Sequence, residues 1–352
     1  MNTPQTDVAV DVERLTDWVG DRIPGRGLLR ATRMGEETGT ANALFLVERD
    51  DPAAPGGVFR CVLRRPPLRI LAPGASDIER EWRILSALEG TPVPHPAPLL
   101  VNLDAELIGA PFIVMAVVDG FTPVGHLPAP YDRPHQRHEL SLAMVDAIVD
   151  LGAVDWKAAG LDGLGKPDGF LERQVPRWLA QLDRYRFRDV PLLDRVADWL
   201  TAERPAAGPA GLMHGDYSPF NVMASPTDPT RLAAVIDWDT GTVGDPLLDI
   251  GHLLARWADP GEEPVIMQPL DILDRDGLAT RADMAQRYAE RSGHALEDLR
   301  YYQVLALFKL AIILEGPVAR ANESNSPEAE GLAARVDRLI DFADKFARGE
   351  RT

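Results

Sequence analysis

The chain has 352 residues, of which 45% are hydrophobic and 26% are charged. This length exceeds what one hydrophobic core usually organises, and the composition excludes a largely disordered protein. The formal net charge of −17 argues against a nucleic-acid partner, because phosphate backbones are bound through clustered Lys and Arg side chains. We therefore expect a globular protein of two lobes.

The sequence predicts a cytoplasmic protein that does not bind a membrane. Residues 1–30 carry repeated acidic side chains and lack the apolar segment of a signal peptide. The longest apolar run, residues 304–314, contains Lys309 and is too short to cross a bilayer. The single cysteine, Cys61, excludes an intrachain disulfide and fits a reducing compartment.

Residues 1–118 are predicted to form a nucleotide-binding lobe, a small antiparallel sheet with one main helix. Apolar residues at helical spacing predict a short opening helix at 11–23, which Pro24-Gly25 ends. A capping pattern at 76–79 begins the main helix, which runs to about Leu88. Runs rich in β-forming residues predict strands at 28–32, 41–48, 58–65, 98–102 and 111–117.

Residues 119–352 are predicted to form a larger, mostly helical lobe, which makes the fold class α+β. A proline-rich linker follows Gly120, and the residues at helical spacing come after it. Helices are predicted at 138–156, 170–185, 192–202 and from 246 to the C-terminus. A short strand-rich island at 211–236 interrupts them and carries the polar residues of chemical interest.

Two apolar strands in and beside this island each deliver an acidic side chain. Residues 212–223 read Leu-Met-His-Gly-Asp-Tyr-Ser-Pro-Phe-Asn-Val-Met, and residues 235–239 read Val-Ile-Asp-Trp-Asp. Phosphoryl transfer needs a carboxylate that accepts the proton of the attacking hydroxyl, oxygen ligands for Mg²⁺ and cations on the phosphates. Asp216 supplies such a base, and Asn221 and Asp237 offer the oxygen ligands that hard cations accept.

The His-Gly-Asp triplet, followed after four residues by Asn221 and later by Ile-Asp-Trp-Asp, resembles the aminoglycoside phosphotransferase and choline kinase family. The resemblance implies a protein-kinase-like two-lobed fold that transfers the γ-phosphoryl of ATP or GTP to a small-molecule hydroxyl. It further implies Asp216 as the catalytic base, Asn221 and Asp237 as Mg²⁺ ligands, and His214 as a brace for the catalytic loop. Asp249 is predicted to be structural and to support the same loop.

The resemblance extends into the first lobe and covers the chain from about residue 28 to 254. It implies that Arg64 binds the phosphates and pairs with Glu81 on the main helix. The family has Lys where this chain has Arg, and Arg is a planar fork rather than a point charge. Strand alternation favours Arg64, and Arg65 stays open as the alternative.

Two further segments are implied to contact the nucleotide. Residues 112–120 resemble the hinge whose backbone holds adenine, which assigns that role to Ala116 and Val118. Residues 34–42 lie between the first two strands, where a loop should cover the phosphates, and Gly39 and Thr40 are its candidate residues. Two glycines between strands are also typical of an ordinary turn, so position alone supports this role.

Residues 63–67 and 108–112 look most like the kinase-like domains that are fused to, or encoded with, acyl-CoA dehydrogenases. This favours a functional link to an acyl-CoA dehydrogenase and a hydroxyacyl or lipid-catabolic acceptor, with an aminoglycoside-like amine still open. The alternative class is a nucleotide-binding pseudokinase that acts as a regulatory partner. The sequence leaves undecided the acceptor, the choice between ATP and GTP, the oligomeric state and the role of Asp239.

Overall fold

The computed structural model describes residues 10–35, 42–68, 77–265 and 275–351, which form two compact units. The first unit contains the described residues through Thr91, together with His95–Asp119 and Ile236–Asp239. The second contains Pro92–Pro94, Gly120–Val235 and the described residues from Thr240 onward.

The first unit is built on a five-stranded antiparallel sheet with the strand order β1-β2-β3-β5-β4. All of the strands predicted for this part of the sequence are present. In chain order the elements are α1 (Val12–Val19), β1 (Arg26–Met34), β2 (Ala43–Asp50), β3 (Val58–Arg65), α2 (Ile78–Leu88), β4 (Pro98–Asn102) and β5 (Phe112–Ala116).

The sheet has an apolar face that forms the core of this unit. Along β2, Ala43, Phe45 and Val47 are buried and alternate with less buried residues, as expected when one face of a strand packs on a core. Cys61 on β3 lies in the same core, where burial raises the pKa of its thiol to about 12. Cys61 is thus a residue of the core.

Helix α2 begins at an N-cap, because the Asp77 side chain accepts a hydrogen bond from the Arg80 backbone N–H. Its buried positions recur at helical spacing. Four of them are apolar and the fifth, Glu81, is a buried carboxylate. Since a buried charge is costly unless it is paired, Glu81 is the residue of this helix that needs a partner.

The second unit is mostly helical, with two short antiparallel sheets that pair β6 with β9 and β7 with β8. Its helices are α3 (Pro134–Gly152), α4 (Gln174–Leu182), α5 (Leu193–Ala202), α6 (Leu247–Arg256), α7 (Arg281–Ser292), α8 (Leu299–Glu323) and α9 (Ala329–Ala347). Its strands are β6 (Gly211–Met213), β7 (Val222–Ala224), β8 (Leu232–Val235) and β9 (Thr242–Gly244).

Helix α8 lies at the centre of this unit and contacts α4, α5, α6 and α9. It is therefore apolar on nearly all sides, and Val304–Phe308 is a continuous buried run. Lys309 follows this run and is also buried, with 9% of its surface exposed. Within the described ranges, no helix combines the length and the apolar character needed to span a bilayer.

Candidate active site

The loop that connects β6 to β7 carries His214, Asp216 and Asn221. Gly215 has a φ of +81°, which side-chain-bearing residues rarely adopt. A Cβ at this position would lie 2.7 Å from the Thr240 carbonyl oxygen, so only glycine fits the turn. The local sequence thus bends the chain sharply at the end of β6, immediately before Asp216.

The backbone of His214 and Gly215 is fixed by side chains from elsewhere in the unit. Asp249 on α6 accepts hydrogen bonds from the His214 N–H at 2.6 Å and the Gly215 N–H at 2.8 Å. Thr240 Oγ1 donates to the His214 carbonyl at 2.8 Å, and Lys309 Nζ donates to the Gly215 carbonyl. The main-chain polar groups of both residues are therefore bound, which holds the loop in one conformation.

The His214 ring also bonds to this loop. The ring is fully buried, and its Nδ1 accepts a hydrogen bond from the Asp216 backbone N–H at 3.3 Å. It meets the Tyr217 ring edge-on, with the ring centroids 5.9 Å apart. These contacts place His214 where a brace for the loop would lie.

The Asp216 carboxylate is contacted on both oxygens. Oδ2 accepts a hydrogen bond from Asn221 Nδ2 at 3.2 Å, and Oδ1 lies 3.2 Å from His252 Nε2 and 3.8 Å from Arg256 Nη1. Burial alone would raise the pKa of Asp216, but the contact with His252 and the charges of Arg256 and Lys309 hold it well below its usual range. Asp216 is thus ionised at neutral pH, and its side chain remains 45% exposed to an incoming acceptor.

His252 and Arg256 lie one helical turn apart on α6. The His252 ring is buried, and burial lowers its pKa to about 4, although the Asp216 carboxylate acts in the opposite direction. The imidazole is therefore neutral at neutral pH. Arg256 Nη1 lies 3.0 Å from His252 Nε2, so this one nitrogen contacts both a guanidinium and a carboxylate.

A second cluster lies in the first unit, around Arg64 on β3. Arg64 Nε is 3.0 Å from Glu81 Oε2, and Nη2 is 2.9 Å from both Asp237 Oδ1 and Asp239 Oδ1. Of these contacts only the one to Asp237 is aligned as a hydrogen bond, whereas the other two are ion pairs at short distance. Asn42 Nδ2 donates to Asp239 Oδ2 at 2.8 Å and orients that carboxylate.

One guanidinium in this cluster forms ion pairs with three carboxylates. Burial raises the pKa of Glu81 to about 7, Arg64 opposes this, and the charges of Asp239 and Asp237 add to it. Burial also raises the pKa of Asp239. Burial would lower the pKa of Arg64, but the carboxylates around it raise it above its ordinary value. When all groups are ionised the cluster holds excess negative charge.

Asp237 differs from the other carboxylates of this cluster. Its φ is +66°, in the left-handed region that non-glycine residues seldom occupy, and its side chain is 47% exposed. Such strain persists only where the surroundings impose it, and it is typical of functional positions. Asp237 therefore has a strained backbone and an exposed carboxylate, and it shares the cation of Arg64 with two other carboxylates.

Asn221 in the second unit and Asp237 in the first each offer an oxygen ligand of the kind that Mg²⁺ accepts. The Asn221 amide nitrogen donates to the Asp216 carbonyl and to Asp216 Oδ2, so its amide oxygen is not used in these contacts. An amide oxygen and a carboxylate are hard ligands, and Mg²⁺ usually takes only one or two from the protein. In the part of the chain that the structure describes, no group of three or more His, Cys, Asp or Glu residues is arranged to hold a metal.

The other residues predicted to contact the nucleotide differ in whether their polar groups are already bound. Arg65 is fully buried, donates to the Pro66 carbonyl and stacks over Phe45, so Arg64 is the strand residue that meets Glu81. The Ala116 N–H is bound to the Ala97 carbonyl at 2.8 Å. The Val118 backbone makes no hydrogen bond within the described residues. Gly39 and Thr40 lie outside the described residues.

The sequence analysis missed three residues around Asp216, namely His252, Arg256 and Lys309. A signal for the first two was present, because 252 and 256 follow Asp249 at helical spacing and share its face of α6. The signal for Lys309 was a lone charge inside an apolar run, which was used only to exclude a membrane span.

The model of the Phosphotransferase enzyme family (APH) matches residues 37–308, and the chain belongs to this family. A solved Ralstonia eutropha protein, provisionally assigned as an aminoglycoside phosphotransferase, is 28% identical, with a TM-score of 0.79 over 97% of this chain and 99% of that one. Choline kinase from Cryptosporidium parvum is 12% identical, with a TM-score of 0.57 over 96% and 94%. The predicted family and the predicted α+β, kinase-like fold are confirmed.

The curated relatives carry a different name. Acyl-CoA dehydrogenase family member 11 of Rattus norvegicus is 29% identical over 335 residues, which are 93% of this chain and 42% of that protein. Family member 10 of Mus musculus is 29% identical over 297 residues, or 82% of this chain and 27% of that protein. The chain therefore spans less than half the length of these relatives. The predicted resemblance to kinase-like domains associated with acyl-CoA dehydrogenases is confirmed.

Proposed function

We propose that this chain transfers the γ-phosphoryl group of ATP or GTP to a hydroxyl of a small molecule, with Asp216 as the general base. The observation that carries the proposal is the state of Asp216. Its carboxylate is ionised, contacted on both oxygens and still half-exposed, and the loop that bears it is fixed by Asp249, Thr240 and Lys309. A general base must be positioned and unprotonated before the acceptor arrives.

Mg²⁺ would be held by Asn221 and Asp237, and when bound it neutralises charge on the β- and γ-phosphate oxygens. Arg64 would bind the phosphates, and Glu81 would keep the guanidinium in place from α2. Among the described residues, nothing bonds to the Val118 N–H or C=O, which leaves both for adenine, whereas the Ala116 N–H is already bound. Val118 is thus the better supported of the two hinge residues.

For the acceptor substrate we propose a chemical class rather than one compound. The relatives named as acyl-CoA dehydrogenase family members favour a hydroxyacyl or lipid-catabolic compound and a functional link to an acyl-CoA dehydrogenase. Solved neighbours named as aminoglycoside phosphotransferases keep an aminoglycoside-like amine as the second candidate. A regulatory pseudokinase finds no support among the comparisons, and it would not need Asp216, Asn221 and Asp237 together.

Thermal unfolding with and without nucleotide tests the first step. A ligand that binds only the folded chain, at a hundredfold excess over its Kd, adds about 2.7 kcal/mol of stability. We expect Mg-ATP or Mg-GTP to raise the melting temperature, and Asp237→Ala to abolish the Mg²⁺-dependent part. Asp50→Ala removes an exposed carboxylate of the same unit and should keep the full response. No shift with either nucleotide at millimolar concentration would contradict the proposal.

Acceptor specificity requires a second experiment. The protein with Mg-ATP is incubated with hydroxyacyl-CoAs, aminoglycosides and amino alcohols, and mass spectrometry detects the phosphorylated acceptor. We expect transfer to one class, and loss of that transfer in Asp216→Asn. Asp189→Asn, which changes a fully exposed carboxylate in the same unit, is the matched control. Nucleotide binding without transfer to any acceptor would favour the pseudokinase.

A further inference from the structure

Two partners contact the same nitrogen of the His252 imidazole, one as a hydrogen-bond acceptor and the other as a donor. Nε2 is 3.0 Å from Arg256 Nη1, a contact aligned as a hydrogen bond, and 3.2 Å from Asp216 Oδ1, a short contact that is not so aligned. A carboxylate only accepts hydrogen bonds, and a guanidinium only donates them. A neutral imidazole nitrogen either carries a proton or accepts one, so Nε2 bonds to Asp216 or to Arg256, but not to both.

The charges around His252 favour a bond to Asp216 over the bond to Arg256. If Nε2 lacked the proton, its lone pair would lie 3.2 Å from the negative Oδ1. The other cation beside Oδ1, Arg256 Nη1, is 3.8 Å away, which is too far for a hydrogen bond. Arg256 is attracted to the Asp216 charge whichever nitrogen of the imidazole is protonated, because charge attraction does not require alignment.

We propose that His252 is a positioning residue for the reaction, which donates from Nε2–H to Asp216 Oδ1 while Asn221 Nδ2 donates to Oδ2. The two donors fix the plane of the carboxylate, so that its free lone pairs are presented to the acceptor hydroxyl. This inference rests on the proposed function, because Asp216 must be the general base for its orientation to affect turnover.

Helix α6 gives this arrangement its rigidity. Asp249, one turn before His252 on the same helix, accepts from the His214 and Gly215 N–H groups. One helix thus fixes both the backbone of the catalytic loop and the side chain of its base. His252 does not act as a base itself, since its burial makes the ring a poor proton acceptor.

The proton position on His252 is measurable without knowledge of the acceptor. We suggest labelling the seven histidines of the chain with ¹⁵N and recording long-range ¹H–¹⁵N correlations of the ligand-free protein at neutral pH. Disappearance of one set of signals in His252→Gln assigns this ring. We expect neutral His252 with the proton on Nε2, and the inference is overturned if the proton is on Nδ1.

Two variants then identify the partner that fixes the tautomer. Asp216→Leu removes the acceptor, so Nε2 should turn to Arg256 and the proton should move to Nδ1. Arg256→Gln removes the competing guanidinium and should leave Nε2 protonated. If Asp216→Leu keeps the Nε2–H form, Asp216 does not fix the tautomer, and that result contradicts the proposal.

Turnover with the acceptor that the screen identifies supplies the functional readout. A displacement of about 1 Å at a catalytic group can cost on the order of 10² in rate, so His252→Leu should lower kcat about tenfold to a hundredfold. The KM for Mg-ATP should not change. His252→Gln retains a donor of similar reach and should recover most of the loss, whereas the shorter His252→Asn should not. His294→Gln, at a partly buried histidine of the same unit that does not contact Asp216, should have wild-type turnover.

A double-mutant cycle separates this inference from the proposed function. If His252 acts through Asp216, adding His252→Leu to Asp216→Asn should cause no further loss of turnover. Additive losses would overturn the positioning role. If Asp216→Asn alone leaves turnover intact, the assignment of the general base fails, while the tautomer measurement still decides whether His252 donates to Asp216.

Discussion

The cluster around Asp216 and the cluster around Arg64 differ in how the charge of their carboxylates is balanced. Around Asp216, one carboxylate is matched by donors and cations, and the charges are balanced without a ligand. Around Arg64, one cation is shared among Glu81, Asp237 and Asp239, and negative charge remains in excess. The proposed base therefore has its charge partners within the fold, whereas the Arg64 cluster has excess negative charge that, under the proposed function, Mg²⁺ would offset.

The largest effect is expected at Asp216. Asp216→Asn should lower kcat on the order of 10² to 10⁴, because a positioned general base typically contributes that much. The affinity for Mg-ATP should stay nearly constant, since Asp216 is proposed to face the acceptor rather than the phosphates. Steady-state kinetics and nucleotide titration measure the two quantities separately. A loss of ATP binding as severe as that of Asp237→Ala would withdraw the assignment of the base.

The next largest effect is expected for the cation of the other cluster. Arg64→Met should destabilise the ligand-free protein by about 3–5 kcal/mol, because removing one partner of a buried ion pair leaves the other uncompensated. Adding Glu81→Gln should restore part of this stability. The measurement is denaturant unfolding without nucleotide or metal.

Arg60 on the same strand offers the control for this prediction. It pairs with Glu48, and about half of its side chain is exposed. Arg60→Met should therefore cost less than about 1 kcal/mol. If Arg64→Met were equally mild, the guanidinium would not be the charge that holds Glu81, Asp237 and Asp239 together.

A third prediction uses the buried imidazole of the Asp216 cluster. The folded-state pKa of His252, about 4, lies below its ordinary value of 6.5, so between these values the unfolded chain takes up a proton that the folded chain does not. Unfolding is therefore favoured as the pH falls, by about 3–4 kcal/mol in total once the pH is below both values. His252→Gln should lose less stability than the wild type between pH 7 and pH 5.

Leu253→Met, a conservative change at the neighbouring buried position, separates this titration from a general loss of stability. Its free energy of unfolding should follow the wild-type pH dependence. Parallel pH profiles for wild type and His252→Gln would mean that His252 is protonated equally in the folded and unfolded states.

Much of the candidate site follows from local sequence. The turn at Gly215 and the five-residue step from Asp216 to Asn221 belong to one loop, so spacing alone brings these residues together. The face of Arg64 on β3 follows from strand alternation, which has a strict period of two. These features depend on a few consecutive residues, so local sequence is enough to determine them.

The partners of Asp216 from α6 and α8 were not predictable in the same way. Helical periodicity places His252 and Arg256 on one face, but it does not say which loop that face meets. Lys309 lies far from Asp216 in the sequence, and an apolar run gives no reason for a buried charge within it. The contact of Asp239 with both Arg64 and Asn42 is likewise a product of tertiary structure.

The smallest effect concerns backbone strain, which distinguishes the Arg64 cluster because Asp237 has a φ of +66°. Asp237→Ala and Asp237→Gly both remove the carboxylate and differ only in the Cβ atom, so their comparison isolates the conformational cost. We expect the Gly variant to be more stable than the Ala variant by about 1 kcal/mol in denaturant unfolding, because a side chain disfavours the left-handed region by roughly that amount. Asp50 ends β2 in ordinary strand conformation, and there Gly should be less stable than Ala by roughly 0.5–1 kcal/mol. The same sign at both positions would show that Asp237 is not strained in solution, and the contrast between the two clusters would then rest on charge alone.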